Sequence, residues 1–197
     1  MSHNNEINNL ESSEDRTDDK ILSLLQDKAS YERGFRLLME TYQERLYWHI
    51  RKMVYEHEDA NDVIQNTFVK VYRSIERFEG KSKLYTWLYR IATNEAITFL
   101  NKKKKKATDS IDDKDINLSN RLKADEYFDG DEIQLQLQLA LDELPEKQRM
   151  VFNMRYFDEM SYADMSEILE TSVGALKASY HHAVKKIESH LKKLTEG

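Results

Sequence analysis

Between Ser82 and Lys106 the chain reads SKLYTWLYRIATNEAITFLNKKKKK, so aromatic rings, amides and a block of lysines share one stretch. Tyr85, Trp87 and Tyr89 are rings on which an unpaired base can stack, Asn94 carries an amide donor, and Lys102, Lys103, Lys104, Lys105 and Lys106 can neutralise phosphates. Single-stranded nucleic acid needs both kinds of group. A core helix with a solvated basic end would carry the same letters. A second constellation lies toward the C-terminus. Ser161 can cap a short helix through Leu169, Glu170-Thr171 can turn, and Ser172 can cap a long helix reaching about Leu194. With Val173, Leu176, Tyr180, Ala183 and Ile187 inward, this is a helix-turn-helix pattern, whose second helix lays its first residues on base edges in the major groove. A helical hairpin that only packs is the competing reading.

These groups need helices to hold them. Ser82 is expected to cap a helix with Leu84, Leu88, Ile91 and Phe99 along a buried stripe. Upstream, residues 1–19 are rich in Asn, Ser, Asp and Glu and are expected to be disordered. Ile21, Leu22, Leu24 and Leu25 predict a short docking helix. A long helix is expected from Ser30 to about Tyr55, with Phe35, Leu38, Met39, Tyr42, Leu46, Ile50 and Met53 near one face. After a break at His57 to Asp59, a third helix carries Val63, Phe68, Val71, Ile75 and Phe78 inward and stops at Gly80. From Ala107 to Glu132, nine acidic residues oppose three basic ones, a local net of −6 that reads as a linker. IQLQLQLALDEL alternates at first, as a strand would, but Leu and Gln are helix formers and no partner strand is on offer. Pro145 suits the first turn of a further helix carrying Met150, Val151, Met154 and Tyr156 or Phe157. The expected architecture is all-α: a tail over 1–19, a helical domain over 20–106, an acidic linker over 107–130 and a second helical domain over 131–197.

Composition agrees with that class. One proline and five glycines in 197 residues leave room for long uninterrupted helices. A net charge of −6 argues mildly against a nonspecific nucleic-acid coat but says little about local patches. Indeed Ser82 to Lys106 holds seven basic residues against Glu95 alone. The absence of cysteine excludes disulfides and thiolate metal sites. No apolar run approaches a membrane span and the N-terminus has no secretory apolar region, so a soluble cytoplasmic protein is expected. There is no Gly-rich phosphate loop, no HExxH and no nucleophile elbow, and the six histidines do not pair at ligand spacing. Glu56-His57-Glu58-Asp59 could suggest a metal cluster, but acids are expected at a helix start anyway. No catalytic residue, metal, cofactor or small-molecule substrate is expected.

The stretch DANDVIQNTFVKVYRSIERFEGKSKLYTWLYRIATNEAITFL, followed after the acidic linker by LPEKQRMVFNMRYFDEMSYADMSEIL and SVGALKASYHHAVKKIESHL, resembles a sigma factor of the extracytoplasmic-function group. The resemblance spans about Tyr31 to Leu194, and its weight lies in the order and spacing of motifs that are individually weak. It implies a transcription initiation subunit with two helical domains, region 2 and region 4, that binds core RNA polymerase and promoter DNA. It also makes an anti-sigma protein a candidate partner. The family pattern D-x-x-Q-x-x-F falls on Asp62, Gln65 and Phe68, which implies polymerase binding by that helix. T-W-L-Y-x-I-A-x-N falls on Thr86, Trp87, Leu88, Tyr89, Ile91, Ala92 and Asn94, where the resemblance implies opening of the −10 element and capture of a base. Ser172, Val173, Gly174, Ala175, Lys177, Ala178, Tyr180, His181 and His182 would then read the −35 element.

The departures bear on specificity. Thr98 stands where the family often has Asp, and Asn101 where it has Arg. Ser166 replaces the usual Ala and Glu170 the usual turn Gly, at a cost of about 1 kcal/mol if Glu170 is left-handed. The recognition segment Gly174 to Ser179 lacks arginine, so the commonest bidentate guanine contact is missing. A conventional helix-turn-helix regulator, dimeric on a palindrome and without polymerase affinity, remains the alternative.

Overall fold

The computed structural model describes residues 16–109 and 132–195; residues 1–15 of the expected tail, 110–130 of the expected linker, and 131, 196 and 197 of the expected second domain lie outside them. Among the described residues there are eight α-helices and no strand. They are α1 (16–26), α2 (Tyr31–Val54), α3 (His57–Ser74), α4 (Leu84–Asp109), α5 (Glu132–Asp142), α6 (Glu146–Tyr156), α7 (Tyr162–Leu169) and α8 (Val173–Thr195). The alternating run in α5 is therefore helical, as residue preference indicated. The chain divides into two compact units between Ala96 and Ile97, inside α4.

In the first unit the i, i+4 row Leu38, Tyr42, Leu46 and Ile50 of α2 is buried, and α2 packs on α3. Helix α1 docks through Ile21, which has no exposed surface. Its backbone passes so close to α2 that a Cβ on Gly34 would lie 2.9 Å from the Leu24 Cβ and 3.0 Å from the Leu25 nitrogen. Only glycine fits there. The Ser30 hydroxyl donates to the Leu24 carbonyl at 2.8 Å, and the Tyr42 hydroxyl donates to Asp18 at 2.5 Å. Residues 16–19 thus belong to a helix and not to the tail assigned to them from composition. The break after α2 also moves: Tyr55, at φ 67°, and Glu56 make it, and α3 starts at His57. Beyond α3 a single 3-10 turn, Ile75–Arg77, leads to Gly80 at φ 68°, a conformation that glycine adopts without a steric penalty.

The second unit gathers Ala140, Leu141 and Leu144 of the α5 segment, Phe152 of α6, and Ala183 and Ile187 of α8 into one core. Phe152 takes the place expected for Tyr156 or Phe157, which stay 55% and 38% exposed. Pro145 lies one residue before the first helical turn, with φ −53° and ψ 139°, and its carbonyl accepts the Arg149 N–H at 3.0 Å. Ser161 caps α7, its hydroxyl accepting the Asp164 N–H at 3.1 Å. Ser172 caps α8 through the Ala175 N–H at 3.3 Å. Between them Glu170 is left-handed, at φ 50° and ψ 40°.

Candidate nucleic-acid interface

Helix α4 begins one residue later than expected: the carbonyl of Lys83, not Ser82, accepts the first helical N–H, that of Trp87, at 3.1 Å. Its buried face is Leu84, Leu88, Tyr89, Ala92 and Ala96, with Thr86 and Thr93, whereas Ile91 and Phe99 are only half-buried. Tyr89 is 3% exposed and stands edge-on to His49, ring centroids 4.9 Å apart. His49, 1% exposed, is held in turn by Thr93, with Nε2 2.9 Å from the Thr93 hydroxyl. The Tyr89 ring is therefore core and is closed to a base in this conformation, which corrects the stacking role expected for it. Tyr85 is half-buried and edge-on to Tyr89 at 6.0 Å. Trp87 is half-buried against Phe78, 5.4 Å away and tilted by 57°.

Asn94 and Lys102 to Lys106 are exposed. Trp87, Asn94 and Lys102 fall on one helical line with Arg90 and Thr98, all separated by three or four residues. Arg90 was missed from sequence, although its spacing from Trp87 and Asn94 could have found it. This line joins a ring, a guanidinium, an amide, a hydroxyl and an ammonium, the groups that hold an unpaired strand by stacking, hydrogen bonding and phosphate neutralisation.

On α3, Asp62 and Gln65 are exposed one turn apart while Phe68 is buried, so the polar pair stands outward over an apolar anchor. Val69 and Tyr72, 47% and 44% exposed, continue the outward line at helical spacing and were not singled out from sequence. The Tyr72 ring lies edge-on to Tyr31 and Phe35, and its hydroxyl donates to Glu32 at 3.3 Å. The Glu32 charge raises the pKa of that hydroxyl above the ordinary tyrosine value.

On α8, Ser172, Val173, Gly174, Ala175, Lys177, Ala178, His181 and His182 are exposed. Val173 faces outward, not into the core as expected, because the buried positions of α8 start at Leu176. Tyr180 is half-buried and stacks on Phe152, centroids 5.7 Å apart and planes 16° apart. It supports the helix from the core side, which corrects its expected place among the base-reading residues. The Tyr162 ring of α7 lies under two cations, the Lys177 ammonium at 5.7 Å and the Arg155 guanidinium at 5.2 Å. Arg155 also donates to the Met160 carbonyl at 2.7 Å, so the turn before α7 is tied to α6. Among the described residues no group of three His, Cys, Asp or Glu could hold a metal ion, Glu56 to Asp59 included. No described helix is long and apolar enough to cross a membrane.

Two helical units, the second closed by a helix-turn-helix with an exposed recognition face, define the DNA-binding helical class. Residues 38–106 match the family model of Sigma-70 region 2, and residues 134–187 that of Sigma-70, region 4. The chain is 30% identical over 178 residues to the RNA polymerase sigma-H factor of Pseudomonas aeruginosa, covering 82% of this chain and 88% of that one. It is 28% identical over 177 residues to the ECF RNA polymerase sigma factor SigW of Bacillus subtilis, covering 86% and 95%. The fold matches that of the sigma factor RpoE of Bartonella quintana, solved with the anti-sigma factor NepR, at a TM-score of 0.67 and 22% identity over 81% of this chain and 98% of that one. The chain belongs to the extracytoplasmic-function group of RNA polymerase sigma factors. Its function is that of an alternative sigma factor, a protein of transcription initiation.

Proposed function

We propose that residues 20–106 act as region 2, residues 131–197 as region 4, and residues 107–130 as the tether between them. Asp62 and Gln65, set outward by buried Phe68, dock on core RNA polymerase. The line of half-buried Trp87 and Arg90 with exposed Asn94 and the lysine block engages the −10 element as it opens, with Tyr85 beside it and Tyr89 holding the helix from within. The exposed N-terminal face of α8 reads the −35 element. The polymerase supplies the bond chemistry in the cytoplasm, and this chain supplies positioning and strand opening. Extruding a base costs a few kcal/mol, which stacking and edge hydrogen bonds must offset. One structural neighbour was solved as a sigma factor in complex with an anti-sigma factor, and a protein of that class is a candidate partner for this chain.

The observation that carries this reading is the separation of faces on α3 and α4: a polar outward line on each, backed by Phe68 on one and by Leu88 and Ala92 on the other. Co-purification tests it. The full chain should retain the core polymerase subunits in stoichiometric amount. A dimer that holds a palindromic duplex and retains no core would support the conventional regulator instead.

A further inference from the structure

Counting from the cap of α8, Gly174, Lys177, Ala178, His181 and Lys185 form one exposed line, and His182 is exposed beside it. That line has no arginine, and its first cation, Lys177, lies over the Tyr162 ring. The two imidazoles are neighbours, with centroids 6.1 Å apart, and among the described residues neither has a hydrogen-bond or ion-pair partner. Along α8 the charged residues nearest to them in sequence are cations, Lys177, Lys185 and Lys186. Lys185 and Lys186 follow one turn on and Glu188 lies further along α8, while Arg155 of α6 and Tyr162 of α7 flank Lys177. On the α5 side, Glu143 is taken by His190 at 3.1 Å, two turns past His182.

We propose that His181 and His182 are the proton-linked DNA contacts of this helix, taking up protons as the helix seats in the phosphate-lined groove. The inference rests on the reading of α8 as the promoter-recognition helix. Histidine is the side chain whose charge changes between pH 5 and 8. A nearby polyanion favours the charged imidazole, so the protonated form is the one the duplex stabilises. The sign follows from linkage. A group protonated more readily in the complex strengthens binding fully at low pH, and that gain is lost as pH rises through its titration in the complex. The chain thus reads DNA with charges that depend on pH on a helix face where fixed guanidinium charges are missing.

The test uses holoenzyme reconstituted from the full chain and core polymerase, on a duplex recovered by that holoenzyme from a random-sequence pool. Between about pH 8 and about pH 6, wild-type affinity should rise by roughly threefold to tenfold more than that of the His181→Gln/His182→Gln variant. At the lower pH the wild-type slope of log affinity against log salt should be steeper by up to about one unit per histidine. His181→Arg/His182→Arg should bind tightly at both pH values. The same pH ratio in wild type and the Gln variant, or an Arg variant no tighter at high pH, overturns the proposal while leaving promoter binding intact. Failure to recover any duplex overturns the promoter reading itself, and the histidine contacts fall with it.

Discussion

Glu170 ends α7 in the left-handed region at φ 50° and ψ 40°, where an L side chain with a Cβ costs about 1 kcal/mol. Glu170→Gly should therefore raise the stability of the second unit, by about 0.5 kcal/mol once the extra freedom of glycine in the unfolded chain is subtracted. Urea unfolding reads this as a higher midpoint at unchanged slope; a lower midpoint would mean that the glutamate side chain contributes more than its backbone costs. Trp87 is the opposite case, a ring only half committed to packing on Phe78. Trp87→Ala should cost about 2 kcal/mol of stability yet leave the first unit folded. Formation of the open complex, read by permanganate reactivity, should then fall further than binding of closed duplex. A folded variant with normal opening would remove Trp87 from the strand-capturing face. The neighbouring Tyr89 shows what sequence could not reveal. The buried residues that follow it on α4 are Ala92, Thr93 and Ala96, small residues that a search for large apolar side chains passes over. The ring it stands against, His49, meets Thr93 across 44 positions of sequence, a pairing without any local pattern.

At the scale of helices, much was legible because breaks and caps are local chemistry. Ser161 and Ser172 cap the two helices of the helix-turn-helix as their letters indicate, and α5 follows residue preference over its brief alternation. Boundaries slipped where tertiary contacts decide them. Residues 16–19 are polar in composition yet helical, Asp18 accepting a hydrogen bond from the Tyr42 hydroxyl of α2. The turn at Tyr55 needs a positive φ on a tyrosine, which no sequence rule would choose. The outward line of α3 was half legible: Asp62 and Gln65 stood out, while Val69 and Tyr72 were indistinguishable from core residues. Asp62→Arg with Gln65→Ala leaves every buried side chain of α3 in place, so circular dichroism and melting temperature should stay near wild type. Retention of core polymerase should drop at least tenfold, a loss of about 1.4 kcal/mol, since charge reversal at an interface costs affinity where a solvated face tolerates it. Unchanged retention would assign this face to solvent.

Over the whole molecule, a chain of net charge −6 still gathers five of its 30 lysines and arginines into one run, Lys102 to Lys106. Replacing Lys102 to Lys106 with Gln should weaken promoter binding by holoenzyme with little change in sequence preference. For every phosphate left without its lysine, the plot of log affinity against log salt should flatten by about one unit, and an unchanged slope would mean that the block only solvates a helix end. The all-α class, the two helical units and the helix-turn-helix were open to inspection of the sequence, because one proline and five glycines leave few ways to interrupt helices. Which residues of each helix face outward was less so, since packing decides that. The most direct measurement is run-off transcription, with permanganate footprinting, by core polymerase with and without this chain on a duplex recovered by the holoenzyme. A transcript and reactive thymines upstream of its start should appear only when the chain is present. A chain that binds the duplex unaided and yields neither transcript nor reactive thymines with core polymerase would contradict its assignment as a promoter-opening subunit.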